Sequence, residues 1–164
     1  MIKKKKELAH KARKEMRKQT KDMYDRNINI LDKYEDFDFN KWQPENITFE
    51  RKNQTNSIVK VTGLELKVMP HHVFSFVKDD VKQIGAIWFV AKLKGFRNDE
   101  VGMFTDALFS YLKRYHAKDY KPSSEYCLAV DVSNGIAITQ RQLEAGEINR
   151  MLESTVAELK RIIQ

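Results

Sequence analysis

Apolar residues change their spacing several times along the chain, and each change predicts an element. Neither Gly nor Pro precedes Pro44, so a helix can run through much of residues 3–34. Its apolar stripe (Leu8, Ala12, Met16, Met23) is too thin at first to hold a helix firmly to a core. From Tyr24 the stripe thickens through Ile28, Ile30, Leu31 and Tyr34, which predicts docking there. Asp36-Phe37-Asp38-Phe39-Asn40 offers oxygen atoms for a calcium loop, but Lys41 and Ile47 stand where such a loop needs Gly and Glu. The stretch reads instead as a connector anchored by two Phe side chains.

Strand patterns follow. Residues 46–50 form a candidate first strand, and Ile58-Val59-Lys60-Val61 and Leu64-Glu65-Leu66-Lys67-Val68 alternate about a Thr62-Gly63 turn. Pro70 interrupts the ladder before Val73-Phe74-Ser75-Phe76-Val77. Residues 84–93 are apolar on both faces for most of their length, as in a central strand covered on both sides. Asn98-Asp99-Glu100 reads as a helix start, with Asn98 as the cap. Phe104, Ala107, Leu108, Tyr111, Leu112 and Tyr115 carry that helix to about residue 115. A strand at 126–132, a Ser133-Asn134-Gly135 hairpin, a short strand at 136–138 and a last helix at 147–163 complete the pattern. The order is helix, three or four strands, helix, two strands, helix. It predicts an α+β (or α/β) fold: a mixed, partly antiparallel sheet flanked by helices.

Charge divides the chain differently. Of 30 Lys+Arg and 23 Asp+Glu in 164 residues, ten basic and three acidic side chains lie in residues 1–22. That segment carries +7, and the remaining 20 basic and 20 acidic side chains cancel. Residues 1–22 therefore read as a basic helical arm and 23–164 as one neutral globular domain. Lys3, Lys4, Lys5, Lys6, Lys11, Arg13, Lys14, Arg17, Lys18 and Lys21 are candidate phosphate contacts to DNA or RNA, of a kind that weakens steeply with salt. The alternative is an assembly helix, packing its stripe on a protein partner or on a second copy. Lys113-Arg114-Tyr115-His116-Ala117-Lys118-Asp119-Tyr120-Lys121 is also basic, but cations there complete a helix C-terminus.

Chemistry is mostly excluded. Glycines 63, 85, 95, 102, 135 and 146 match no phosphate or dinucleotide loop, and the four histidines include no helical i, i+4 pair. The lone Cys127 sits in an apolar run and reads as a buried, inert thiol. The longest apolar run, 84–91, is far short of the ~20 residues that span a bilayer, and no apolar core follows Lys3-Lys4-Lys5-Lys6. The expectation is a cytoplasmic protein without membrane contact.

The element order over roughly residues 20–132 resembles the PD-(D/E)xK, restriction-endonuclease-like superfamily. Pro70-His71 stands where that superfamily opens a strand with Pro-Asp, and Val90-Ala91-Lys92 where it closes the next with an acid, one residue and Lys. Those acids hold a divalent metal that activates water for phosphodiester cleavage. Only Lys92 matches, so the resemblance implies a nuclease-like fold with the cleavage chemistry lost, and no cofactor or metal site is expected. A divergent metal nuclease, using Mg²⁺, is the remaining enzyme reading. Its candidate residues are His71, Lys92, Asp131, Glu65 and Lys67. Asp131 reads as a site carboxylate, a solvent-facing acid, or a cap on the Asn134-Gly135 hairpin. Glu65-Leu66-Lys67 reads as a solvated strand face carrying an ion pair; as a site it would need a partner acid such as Glu50.

Overall fold

The computed structural model describes residues 18–50 and 57–163. The chain packs as two units, Met1–Phe39 and Asn40–Gln164. In the first, helix α1 spans Lys18–Lys33 with Tyr24, Ile28, Ile30 and Leu31 as its half-buried apolar positions. The Phe anchors predicted after it form a ring cluster: Tyr34–Phe37 centroids lie 5.4 Å apart and Phe37–Phe39 5.1 Å. The helix predicted over residues 3–17 lies outside the described residues.

The second unit is built on a five-stranded sheet ordered β1-β4-β5-β6-β7. Its strands are β1 (Thr48–Phe49), β4 (His72–Lys78), β5 (Val81–Val90), β6 (Lys121–Asp131) and β7 (Ile136–Thr139). Only the β5–β6 pair is parallel; the other three are antiparallel, so the sheet is mixed. The doubly apolar run is the middle strand, as its pattern requires. Helix α2 (Asn98–Tyr115) makes the crossover between the parallel strands and packs across β5, β6 and β7. A parallel pair needs such a crossover, since a tight turn cannot reverse the chain twice.

Val73, Ile84, Ala86 and Cys127 face Leu108 and Leu112 of α2 across the core. Each large side chain buried there contributes roughly 1.5–3 kcal/mol. The hairpin of β2 (Ile58–Val61) and β3 (Leu64–Lys67) is a separate two-stranded sheet. Its inward residues Val59 and Val61 join the same core, beside α2.

Three expectations need correction. First, Arg97 rather than Asn98 occupies the α2 N-cap, and its backbone N–H donates to Glu100 Oε2 at 2.8 Å. Glu100 can cap in this way because it sits at the third helical position. Second, the last helix begins at Leu152, not 147. It is preceded by a short helix, α3 (Gln140–Glu144), and continues as α4 (Leu152–Ile163). Thr139 caps α3: Gln142 N–H donates to Thr139 Oγ1 at 3.3 Å, and Thr139 N–H donates to Gln142 Oε1 at 3.0 Å. Third, β6 starts at Lys121 and carries a wide bulge. Ile84 pairs with Pro122 and Ala86 with Cys127, so residues 123–126 stand opposite Gly85 alone. A Cβ on Gly85 would lie 2.6 Å from Tyr126 O and 2.7 Å from Phe74 Cε2, so only Gly lets the bulge close. No helix among the described residues is long and apolar enough to cross a membrane.

Candidate functional site

Strand pairing brings three of the sequence candidates to one end of the sheet. His72 of β4 pairs with Ile87 of β5, and Val90 of β5 with Asp131 of β6. His71, Lys92 and Asp131 therefore leave neighbouring strands at the same end. In open α/β sheets the carboxyl ends of parallel strands form the usual ligand crevice.

At this end the three candidate side chains are each tied to backbone or to a charged neighbour. Asp131 has no exposed surface, which corrects the solvent-facing reading. Its Oδ2 accepts from Phe96 N–H at 2.8 Å and its Oδ1 from Ser133 N–H at 2.9 Å, while its backbone oxygen accepts from Gly135 N–H at 2.8 Å. The carboxyl thus joins the β5–α2 loop to the β6–β7 hairpin, and the hairpin cap is the reading that agrees with the geometry. Ser133 Oγ donates to Lys92 O at 3.1 Å and tightens the same junction. His71 Nδ1 accepts from Phe89 N–H at 3.2 Å.

Lys92 lies two residues beyond the end of β5. Its Nζ is 3.4 Å from Glu100 Oε1 and 5.1 Å from the Phe96 ring centroid. Glu100 is thus the carboxylate that meets Lys92, and it was missed because its position reads as an ordinary helix-start acid. The carboxyl of Glu100 is held below its usual range first by the Arg97 backbone N–H, with Lys92 and Arg97 adding to the effect against burial. The Arg97 guanidinium, 3.1 Å from Asp99 Oδ1, does the same for Asp99. An open groove of about 360 Å³ runs past Arg97, Asp99 and Glu147. Two of those charges neutralise each other. No cluster of three or more His, Cys, Asp or Glu suited to a metal ion occurs among the described residues.

The Glu65 and Lys67 candidates lie on the separate hairpin. Glu65 pairs across it with Lys60, Nζ to Oε1 3.3 Å, and both side chains are exposed. The ion pair of that face therefore runs to Lys60. Glu50, the acid Glu65 would have needed, instead accepts from Tyr120 Oη at 3.1 Å, a bond that raises the Tyr120 hydroxyl. Beside them His116 is half-buried, and burial lowers its imidazole while Glu50 and Asp119 act against that. Tyr115 Oη donates to Ile58 O at 2.7 Å, fastening the hairpin to the end of α2. Cys127 is fully buried, as its run implied, and burial pushes its thiol well up.

Of the basic arm, Lys18 and Lys21 are described; both are exposed on α1. Lys3, Lys4, Lys5, Lys6, Lys11, Arg13, Lys14 and Arg17 lie outside the described residues. Comparison of the chain with protein-family models, curated proteins and solved structures gives no match.

Proposed function

We propose that this chain is a non-catalytic binding protein on a restriction-endonuclease-like scaffold, whose basic N-terminal segment contacts the phosphates of nucleic acid. The observation that carries the reading is the partition of charge: +7 within residues 1–22 and none in excess over the other 142. Phosphate backbones are the commonest polyanions that such a segment recognises, by counter-ion release and without sequence readout.

The scaffold reading draws support from β4 and β5, whose shared sheet end carries His71, Val90 and Lys92. Two of these three positions lack the carboxylate that cleavage requires. The nearest acids are committed elsewhere: Asp131 bonds two backbone N–H groups and Glu100 meets Lys92.

The test is a salt titration of oligonucleotide binding, followed by fluorescence anisotropy from 50 to 300 mM NaCl. The full chain is compared with a variant carrying Lys→Gln at Lys3, Lys4, Lys5 and Lys6. Each phosphate-contacting lysine lost should reduce the log–log slope by about 0.7–0.9. Identical slopes and affinities would remove the arm from the reading. Mg²⁺- or Mn²⁺-dependent nicking of a supercoiled plasmid that is lost in Lys92→Ala would make the protein an enzyme instead.

A further inference from the structure

One ring cluster on the sheet is partly open to solvent. Phe49 of β1 is 61% exposed, its ring centroid 5.7 Å from that of His72 at the start of β4. His72 lies 6.2 Å from the ring of Phe89 near the end of β5, and His71 lies 5.6 Å from the same ring. His71 and His72 are exposed and Phe89 is half-buried. Trp42, buried, backs Phe89 at 6.1 Å. Register places Phe49, His72 and Phe89 on one face of three adjacent strands: Phe49 pairs with Phe74, His72 with Ile87, and side chains two apart share a face.

The geometry points to this cluster as a stacking platform for unpaired bases, which makes single-stranded nucleic acid the ligand of this protein. The inference rests on the reading that the basic segment binds nucleic-acid phosphates, and it names which nucleic acid. Sheet-borne aromatic and imidazole rings are what single-stranded RNA and DNA stack upon, whereas a duplex keeps its base faces covered.

Two further features favour a base over an apolar protein surface. The rings are tilted 54–82° to one another, so they present separate faces and edges rather than one flat apolar wall. Two of the exposed rings are imidazoles, which combine a stacking face with polar nitrogens. The Phe89 N–H to His71 Nδ1 bond fixes the His71 ring and leaves the neutral imidazole's proton on Nε2. A ring so oriented is set in place before a ligand arrives, which lowers the ordering cost of binding. Lys41, exposed, directly precedes Trp42 in the chain and adds a cation next to the residue that backs Phe89.

The test measures binding of the full-length protein to a 12-nucleotide single strand, as RNA and as DNA, and to a 12-base-pair duplex at one salt concentration. The double variant Phe49→Ala/His72→Ala changes only exposed side chains. It should weaken single-strand binding by about 10-fold or more. Duplex affinity and the single-strand salt slope should stay unchanged, and Phe49→Trp should retain single-strand affinity. Equal weakening of both ligands, or of neither, overturns the platform. So does a change in sedimentation between wild type and the Ala variant, which would assign the rings to a protein contact. If the wild type binds no oligonucleotide, the phosphate reading fails by itself. The platform is then judged by NMR with adenosine, which carries no phosphate: shifts confined to His72 and Phe49 uphold it, and their absence removes it.

Discussion

Asp131 shows how a chemically suggestive residue is used by the fold. Its two oxygens serve the backbone N–H groups of Phe96 and Ser133, one in each of two adjoining loops. Replacing it by Ala leaves two inward donors without an acceptor, each costing roughly 1–3 kcal/mol. Asp131→Ala should therefore destabilise the protein by about 2–6 kcal/mol in urea unfolding. Asp131→Asn keeps one acceptor oxygen and should lose about half as much. A carboxylate kept for catalysis behaves oppositely, since its removal leaves stability unchanged or raised. His116 permits a pH prediction at the same scale. Burial lowers its folded-state pKa below the ordinary value, so below about pH 6.5 the unfolded chain binds more protons than the folded one. Stability is then lost as pH falls from about 6.5 through the depressed folded value, and is regained as pH rises. Glu50 and Asp119 face the ring and moderate this without reversing it. His116→Gln should flatten the acid limb of thermal midpoint against pH; an unchanged limb would show that other groups set it.

Among the elements, hairpin chemistry divides what was legible in the sequence from what was not. The β2–β3 hairpin was readable because Thr62-Gly63 sits between alternating strands, and the structure gives φ of 46° and 85° there. The β4–β5 hairpin turns on Asp79-Asp80, with φ of 53° and 59°, although neither residue is Gly or Asn. A two-residue turn with positive φ at both central positions is the type I′ form, and a non-Gly residue there is strained. Asp80→Gly should therefore raise stability by roughly 0.5–1 kcal/mol, read as a shift in urea midpoint at constant slope. Destabilisation would mean that the Asp80 side chain holds the turn. β5 and α2 were legible because their apolar spacing is strong and local. α3 was not: Gln140-Arg141-Gln142-Leu143-Glu144 contains one apolar side chain, and its start is set by the Thr139–Gln142 box. The β5–β6 pairing, the bulge opposite Gly85 and the meeting of Lys92 with Glu100 were illegible because they depend on tertiary packing rather than local period. The ring platform was hidden for the same reason. Phe49, His72 and Phe89 lie up to 40 residues apart and become neighbours only through two antiparallel registers.

At the scale of the whole molecule, the charge partition predicts two salt responses that separate. Residues 23–164 carry no net charge, so there is no self-repulsion in that stretch for salt to relieve. Among the described residues, the ion pairs Lys60–Glu65, Lys78–Glu125, Lys92–Glu100 and Arg97–Asp99 involve exposed or half-exposed side chains. Pairs of that kind contribute about 0.2–1 kcal/mol each before screening. If raising NaCl from 50 to 300 mM screens away about 1 kcal/mol of that total, the thermal midpoint should move by only about 2–4 °C. Over the same range nucleic-acid affinity should fall by orders of magnitude, because each phosphate contact releases a counter-ion and the contacts multiply. Calorimetry and anisotropy on one preparation test both halves together. A midpoint that climbs steeply with salt would show the +7 of residues 1–22 acting on the folded body. Parallel, shallow responses would show that the charge serves solvation and engages no polyanion.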